Sequence, residues 1–320
     1  MAGAHTLAPP KHEYRFDRRV SRPANDQPES HQETEPMSRH HSGHPTALLL
    51  LALGLIAAAT PLGGCNEWFA LGCTPGPDSD GPSGGVPGPL RILVSNDDGV
   101  HAEGIDVLVA ALAGDPAYEV TVYAPAIDQS GSGDSDQCGT LSQTATTTLS
   151  GYPAVGVDGC PADAVTRGLA HMNAAGAPPH LVVTGINAGQ NVSILVAQAL
   201  SGTVGAAKTA VRAGIPALAV SQALPEPHDF ASGATAAVTW IEEHREELLD
   251  GTAPLVLTNM NVPTCAPGTS IRGTIDDLPL ALNPLLSLAP SNCASWLVLP
   301  PTDGIALQSG VISISEVWVP

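Results

Sequence analysis

The chain has 320 residues, with 12 Lys and Arg against 31 Asp and Glu and a formal net charge of −19 at pH 7. Residues 91–320 hold 6 Lys and Arg against 22 Asp and Glu, a net of −16 with His neutral. This balance argues against a basic surface for nucleic-acid polymers or anionic membranes. A small anionic substrate remains compatible with it if a metal ion supplies positive charge locally.

The beginning of the chain does not have the pattern of a folded domain. Residues 1–36 are polar and lack apolar periodicity, so we expect a disordered leader, or one absent from the native product if Met37 is the true start. Residues 37–65 resemble a signal peptide, in which Arg39 and several His precede the apolar run at 46–60. Its fifteen residues are fewer than the ~20 of a membrane span.

The signal-like segment ends in LGGC (62–65), which is similar to the lipobox of bacterial lipoproteins. It predicts a lipid anchor at Cys65; the alternative is an ordinary cleavable signal, with Cys65 free to pair with Cys73. Residues 66–90 are rich in Gly, Pro and Ser and predict a flexible tether. We therefore expect an exported protein, either in the bacterial cell envelope (periplasmic or membrane-anchored) or extracellular.

Residues 91–320 have the length of one domain, and strand patterns alternate with helix patterns along them. Strands are expected at 91–95, 118–125, 154–158, 180–187, 215–221 and 254–263, and helices at 104–114, 161–172, 203–214 and 235–249. Such alternation predicts an α/β fold, a Rossmann-like three-layer sandwich with a mostly parallel sheet.

Six cysteines occur, and none has the CxxC spacing typical of zinc or redox motifs. In an exported protein we expect disulfides. Nearness in the sequence suggests Cys138 with Cys160 and Cys265 with Cys293.

Polar clusters follow three of the expected strands. Asp97 and Asp98 follow the first strand, Ser130 lies in the loop after the second, and Asn187 ends the strand at 180–187. Ligands of parallel sheets bind at the carboxyl ends of strands, so these side chains should converge. Oxygen ligands of this kind suit Mg²⁺, Mn²⁺ or Ca²⁺ better than zinc.

The segment SGT (201–203) starts an expected helix, where free N–H groups and the helix dipole favour phosphate. A metal site facing a phosphate site indicates phosphate-ester hydrolysis. Each cluster alone has a structural explanation: NDDG as a turn, the loop 127–135 as a flexible connection, and SGT as a helix cap. Their joint occurrence at strand ends favours the functional interpretation.

Eight segments, in order along the chain, resemble one known family, the SurE survival-protein nucleotidases. They are RILVSNDDGVHAEGI (91–105), VYAPAIDQSGSGDS (122–135), DGCPADAV (158–165), LVVTGINAGQN (181–191), SGTVGAA (201–207), GIPALAVS (214–221), NMNVP (259–263) and TDGIALQSGVISIS (302–315). The resemblance implies a SurE-like domain over 91–320 with a small β-rich extension near its C-terminus.

The resemblance also implies a function: metal-dependent 5′/3′-nucleotidase or acid phosphatase activity, in which metal-activated water hydrolyses nucleoside monophosphates. It implies Mg²⁺ or Mn²⁺ as cofactor, with Ca²⁺ as a third candidate, held by Asp97, Asp98, Ser130 and Asn187. Asp98 or Asp97 would act as general base. The implied phosphate-binding positions are Asn96, Gly131, Asn191, Ser201, Gly202 and Thr203.

The sequence departs from the family pattern at several points. Asp134 stands where an Asn that contacts phosphate is common, Cys160 replaces a Thr, and 190–200 lacks the acidic loop of cytosolic members. The resemblance allows a homodimer, but the chain ends at Pro320 without the C-terminal arm that many members exchange between subunits, so it does not imply an arm-exchanged dimer.

Two other functions remain open at this point. Asp134 leaves room for a non-catalytic nucleotide- or phosphate-binding envelope lipoprotein on the same fold. A different hydrolase is less favoured, because residues 91–320 contain no GxSxG and no GxGxxG follows the first strand.

Overall fold

A computed structural model describes residues 88–320, in which nine strands form one sheet with six α-helices around it. The strands are β1 (Leu90–Ser95), β2 (Tyr118–Pro125), β3 (Gln143–Thr147), β4 (Pro153–Val157), β5 (Leu181–Ala188), β6 (Ala217–Gln222), β7 (Leu257–Val262), β8 (Thr274–Ile275) and β9 (Ile312–Val317). The helices are α1 (Glu103–Ala113), α2 (Pro161–Ala174), α3 (Gly202–Arg212), α4 (Phe230–Glu243), α5 (Arg245–Asp250) and α6 (Asp303–Gln308). A π-helical turn (Val196–Leu200) and a 3₁₀ helix (Pro284–Leu288) complete the elements.

The strand order is β3-β4-β2-β1-β5-β6-β7-β9-β8. The six strands from β4 to β7 in this order are parallel, β3 and β9 are antiparallel to their neighbours β4 and β7, and β8 is parallel to β9. This arrangement confirms the α/β fold with a mostly parallel sheet. The chain builds outward from β1 in one direction through β2 and β4, and then from β5 in the other. The switch point of the topology therefore lies between β1 and β5.

Two apolar layers enclose the sheet, one on each face. Along β1, Ile92 and Val94 pack into one layer with α1 and α4, whereas Leu93 packs into the other with α2 and α3. Successive side chains of a strand point to opposite faces, so a strand that is apolar throughout must be covered on both. The three-layer expectation is confirmed.

The helix expected at 235–249 differs from the structure in its start and its continuity. α4 begins five residues earlier, at Phe230, where the Asp229 carboxylate accepts a hydrogen bond from the Ser232 N–H at 3.2 Å. His244, with φ −106° and ψ 7°, then separates α4 from α5. Periodicity located the apolar face but missed the capping residue and the break.

No pattern in the sequence indicates strand β3. Its residues, QTATT, are almost all exposed, and it pairs only with β4 at one edge of the sheet. An edge strand without a buried face has no apolar alternation to detect.

Both disulfides expected from nearness in the sequence are present. Cys138 and Cys160 have Cα atoms 5.0 Å apart, and Cys265 and Cys293 have theirs 5.5 Å apart. Three backbone N–H groups around the first disulfide donate to the Asp163 carboxylate at the start of α2. This disulfide therefore fixes the loop before β3 to the start of α2.

The expectations for the start of the chain fall outside the described residues. They are the leader at 1–36, the signal peptide and lipobox at 37–65 with Cys65, Cys73, and most of the tether at 66–90. The domain expected from residue 91 begins in the structure with β1 at Leu90.

Among residues 88–320, no helix combines the length and the hydropathy that a membrane span requires.

Gly104 provides a test of the close packing between α1 and β5. A Cβ at this position would overlap the backbone carbonyl oxygen of Ile186 in β5, next to Asn187. We expect Gly104→Ala to lower the free energy of unfolding by about 2 kcal/mol or more, because backbone has to move to admit the methyl. Urea unfolding would measure this, with Ala110→Ser on the exposed face of α1 as control. A variant as stable as the wild type would contradict the close packing.

Candidate active site

The candidate site lies at the carboxyl ends of β1 and β5, the switch point of the sheet. Asp97 and Asp98 follow β1, and Asn187 is the penultimate residue of β5. The pairing of β5 with β6 shifts register between Thr184 and Asn187, after which Asn187 lies opposite Ser221. An irregularity of this kind changes the direction in which the following side chains point. The sheet therefore brings together residues that lie 90 positions apart in the chain.

Asp97 is buried, with 3% of its surface exposed. Its Oδ1 accepts a hydrogen bond from the Thr203 hydroxyl at 2.6 Å, which joins the end of β1 to the start of α3. Burial raises the pKa of the Asp97 carboxyl, and the Thr203 hydrogen bond partly opposes that rise. A buried carboxylate of this kind is stabilised in its ionised form by a bound cation.

Asp98 is less buried and has a different partner. Its Oδ2 accepts a hydrogen bond from the backbone N–H of Ala188, at the end of β5, at 3.0 Å. Burial, and next the negative charge of Asp97, raise the pKa of Asp98 to about 7, although the Ala188 N–H favours the ionised form. The pair consequently resists full ionisation without a cation.

The loop after β2 brings Ser130 to the same edge through a carboxylate that the sequence analysis did not single out. Asp128 Oδ1 accepts hydrogen bonds from the Ser130 hydroxyl at 2.6 Å and from its backbone N–H at 2.8 Å. The Gln129 N–H donates to the Asp97 carbonyl oxygen at 2.8 Å. The negative charge of Asp128 also contributes to the raised pKa values of Asp97 and Asp98. The sequence could have indicated Asp128 by its position two residues before Ser130, in a loop that follows a strand.

The start of α3 forms the other wall of the site. Ser201 caps the helix, and its hydroxyl accepts a hydrogen bond from the Val204 N–H at 3.0 Å. The N–H groups of Gly202 and Thr203 precede the first intrahelical hydrogen bonds and are available to an anion. A Cβ on Gly202 would lie 2.8 Å from Asp97 Oδ2, so only glycine allows the helix to start this close to the carboxylate.

Asn191 acts on the site through Thr203. Its side-chain N–H₂ donates to Ser221 Oγ at 2.9 Å and to Thr203 Oγ1 at 3.3 Å. The backbone of Asn191 is held by two residues of β7 that the sequence did not single out. Asn261 Oδ1 accepts a hydrogen bond from the Asn191 N–H at 2.7 Å, and the Asn259 side-chain amide donates to the Asn191 carbonyl at 2.9 Å. Both come from the NMNVP segment.

Several buried polar atoms have no hydrogen-bond partner within residues 88–320. Among them are the Asn96 side-chain oxygen and the Ser132 hydroxyl, which lie next to Asp97 and in the Ser130 loop. The Asn96 amide donates to the Gly99 carbonyl at 3.0 Å, and the Asn187 amide donates to the Gly189 carbonyl at 2.5 Å, which leaves the Asn187 oxygen for a ligand. An unpaired buried polar atom costs about 1–3 kcal/mol, so such atoms indicate a polar ligand.

Gly131 also lies in the Ser130 loop, in a backbone conformation with φ +77°. Its neighbour Gly133 connects the loop to the turn before α3, where its N–H donates to the Leu200 carbonyl at 3.2 Å. The loop is thereby attached both to Asp97 and to the segment that precedes Ser201.

Asp134 is oriented along α3, away from the helix start. Its carboxylate forms an ion pair with Arg212 at 2.7 Å, near the end of α3. The hydrogen bond from Arg212 lowers the pKa of Asp134, and the charge of Lys208 contributes to that shift. The charge of Asp134 is thus compensated by cations of the helix.

The profile of the family described as "Survival protein SurE" matches residues 92–275, more than half of the chain. A protein named 5′-nucleotidase SurE from Azorhizobium caulinodans is 32% identical over 245 residues, which cover 72% of this chain and 93% of that protein.

Two further proteins of the same name are more similar over shorter segments. The one from Methanopyrus kandleri is 44% identical over 133 residues, 42% of this chain and 49% of that protein. The one from Anaeromyxobacter sp. is 42% identical over 174 residues, 54% of this chain and 64% of that protein. The chain thus spans less than two thirds of these two relatives.

The crystal structure of SurE from Aquifex aeolicus is similar to this chain with a TM-score of 0.56 and 25% sequence identity. The similarity covers 72% of this chain and 94% of that one.

The raised pKa of Asp98 predicts how stability depends on pH when no metal is bound. The folded state retains a proton up to pH about 7 that the unfolded chain releases near pH 3.8, so stability falls as the pH rises through this interval. We expect Asp98→Asn to exceed the wild type in free energy of unfolding by about 1–3 kcal/mol at pH 8 in EDTA, and by less at pH 5. Urea unfolding at both pH values measures this.

The exposed Asp136→Asn is the matched control and should follow the wild type at both pH values. Equal stabilities of Asp98→Asn and wild type at pH 8 would contradict the burial cost assigned to the Asp98 carboxylate.

Proposed function

Because this chain belongs to the survival protein SurE family, we propose that it hydrolyses phosphate monoesters, nucleoside monophosphates among them, at the β1–β5 edge of the sheet. The observation that carries the proposal is the 2.6 Å hydrogen bond between Asp97 and Thr203. It joins a carboxylate suited to a metal with a helix start suited to phosphate, so one ligand can engage both.

The site residues fit a divalent cation. Asp97, Asp98, Ser130 and Asn187 offer oxygen atoms only, the donor set of Mg²⁺ and Mn²⁺, and also of Ca²⁺. Ser130 donates its hydroxyl proton to Asp128, so the lone pairs of its oxygen are left for a metal. When bound, the ion would neutralise charge on the phosphate and lower the pKa of the attacking water.

The phosphate group is received by the start of α3. The N–H groups of Gly202 and Thr203 and the helix dipole favour an anion there. Ser201 fixes the first turn through its cap, and Asn191 orients the Thr203 hydroxyl. Asn96 and Gly131, from the two neighbouring loops, complete the proposed pocket.

Asp98 is the side chain best suited to accept the proton of the attacking water. One of its oxygens is engaged by the Ala188 N–H, whereas Asp97 is almost fully buried and is bonded to Thr203. Without a metal, burial raises the pKa of Asp98 to about 7, and a cation bound beside it would lower that pKa, so the carboxylate would be ionised and able to accept a proton. Asp97 then acts as a ligand and as the anchor of Thr203.

The non-catalytic alternative rested on Asp134. Since this carboxylate pairs with Arg212, it gives no reason to expect a site without turnover. Export remains part of the proposal: two disulfides and the apolar run at 46–60 favour an oxidising compartment.

Phosphate release from adenosine 5′-monophosphate and p-nitrophenyl phosphate, with Mg²⁺, Mn²⁺ or EDTA, tests the proposed reaction. We expect release with a metal and none with EDTA. Asp97→Asn should lower kcat/KM by more than about a hundredfold, because loss of a residue outside the ligand set already costs 10–100-fold at metal sites.

Asp134→Asn makes the same chemical change outside the site and should retain wild-type turnover. The proposal fails if folded wild-type protein releases no phosphate with any of these metals, or if Asp97→Asn retains turnover.

Asp128 should contribute to metal affinity by orienting Ser130. We expect Asp128→Asn to weaken Mn²⁺ binding, measured by calorimetry without substrate, by about 10–100-fold. Asp136→Asn, in the same loop region but not bonded to Ser130, should bind Mn²⁺ like the wild type. Unchanged affinity in Asp128→Asn would remove this residue from the metal site.

A further inference from the structure

The loop at 126–142 connects β2 to β3 through turns and irregular backbone, and it carries Ser130. A segment without regular secondary structure keeps its position through the contacts at its anchor points. Near its start, the Gln129 N–H donates to the Asp97 carbonyl oxygen at 2.8 Å. Two further anchors lie after Ser130 and determine how firmly its hydroxyl is held at the site.

The first of these anchors joins the loop to α3 through noncovalent contacts. The Gly133 N–H donates to the Leu200 carbonyl at 3.2 Å, and the Gly133 carbonyl lies against Gly205, where a Cβ would overlap it. Asp134 pairs with Arg212, and their side chains are 39% and 38% exposed. These contacts position the loop, but none of them is covalent, and the hydrogen bond and the half-exposed ion pair each contribute little to stability.

The second anchor is covalent. The disulfide between Cys138 and Cys160 attaches the loop, eight residues after Ser130, to the residue directly before α2. The Asp163 carboxylate at the start of α2 accepts hydrogen bonds from the N–H groups of Gln137 at 2.8 Å and Cys138 at 3.1 Å. Cys160 is fully buried, so the point to which the loop is attached lies in the protein interior.

The backbone around the disulfide is held in unfavourable conformations. Gln137 and Leu141, on either side of Cys138, have φ values of 61° and 59°, in the left-handed region that residues with a Cβ seldom adopt. Such conformations persist only where the surrounding structure holds them. Opening the disulfide removes the covalent restraint, so this part of the loop can relax and Ser130 loses its fixed position.

We infer that the Cys138–Cys160 disulfide acts as a redox switch for the metal site: the disulfide form binds a divalent metal ion, and the dithiol form binds it weakly. The inference rests on the proposed function and adds a control to it. Disulfides form in oxidising compartments and are kept reduced by the thiols of the cytosol. The switch therefore confines phosphate-ester hydrolysis to an oxidising compartment and keeps a chain that is still reduced weakly active.

The exchange begins at Cys138, which is half-buried, whereas Cys160 is fully buried. One thiolate of a dithiol reductant attacks the Cys138 sulfur, the S–S bond breaks, and Cys160 leaves as a thiolate that takes up a proton. The second thiol of the reductant then attacks the reductant's own sulfur in the mixed disulfide and releases Cys138 as a thiol. The protein gains two electrons and two protons, and the reductant leaves as a disulfide.

Calorimetric titration with Mn²⁺, without substrate, tests the switch in the full chain. We expect Cys138→Ser/Cys160→Ser to bind Mn²⁺ at least about tenfold more weakly than the wild type, because Ser130 is then no longer held at the site. Mn²⁺ is the appropriate probe, because reduced cysteines attract softer ions such as Zn²⁺, and here the two sulfur atoms and an Asp163 carboxylate oxygen lie within 4.8 Å of one another.

Cys265→Ser/Cys293→Ser is the matched control. The two disulfides join residues separated by 22 and 28 positions, so their removal relaxes the unfolded chain to a similar extent. The control should bind Mn²⁺ like the wild type, and circular dichroism would establish that both variants are folded. An equal loss of affinity in both variants would contradict a specific role of Cys138 and Cys160.

Reduction and reoxidation distinguish a switch from a permanent structural support. In Cys265→Ser/Cys293→Ser, dithiothreitol opens the remaining disulfide of residues 88–320, and the reductant is removed under argon before titration. We expect the Mn²⁺ affinity to fall by about tenfold or more and to return to its initial value after treatment with oxidised glutathione. Mass spectrometry verifies the state of the Cys138–Cys160 pair at each step. Unchanged affinity in verified dithiol protein would overturn the inference, and so would a loss that reoxidation does not reverse.

The outcomes separate the switch from the proposed function. Protein that binds Mn²⁺ and releases phosphate equally well in both redox states would overturn the switch alone. If the disulfide form binds no Mn²⁺ and hydrolyses no ester with any metal, the proposed function fails, and the switch fails with it.

Discussion

The hydrogen bond between Asp97 and Thr203 is the interaction on which the rest of the site depends. It fixes the start of α3 against the end of β1, and the contact is close enough that position 202 must be glycine. The same Asp97 holds the Ser130 loop through its backbone carbonyl. One buried residue thus holds a helix through its carboxylate and a loop through its backbone carbonyl, and burial raises the pKa of that carboxyl. A cation that compensates the carboxylate charge would stabilise this arrangement.

The sheet topology explains why these contacts form where they do. The chain reverses direction of growth between β1 and β5, and at such a switch point the connections after the two strands diverge and leave a crevice. Asp98 bridges the crevice by accepting the Ala188 N–H of β5. The buried amides of β7 support its far side by holding the backbone of Asn191, whose side chain reaches Thr203. The polar side chains at the end of each central strand therefore serve one site.

Membership of the SurE family and the charge distribution lead to a consistent picture of function. A divalent cation held by Asp97 and Asp98 would supply the positive charge that a phosphate needs beside these carboxylates in the proposed reaction.

The sequence by itself determined the alternation of strands and helices, the residues at the strand ends and, through motifs in a fixed order, the family. Local patterns suffice for these, because apolar periodicity and turn residues are written in neighbouring positions; nearness also sufficed for both disulfides. Only the tertiary structure decided the partners: Asp97 with Thr203, 106 residues apart, Asp134 with Arg212, 78 apart, and Asn191 with Ser221. It also revealed Asp128 as the partner of Ser130, the edge strand β3 and the break at His244. A side-chain hydrogen bond depends on distances that only folding sets, so no periodicity or motif could assign it.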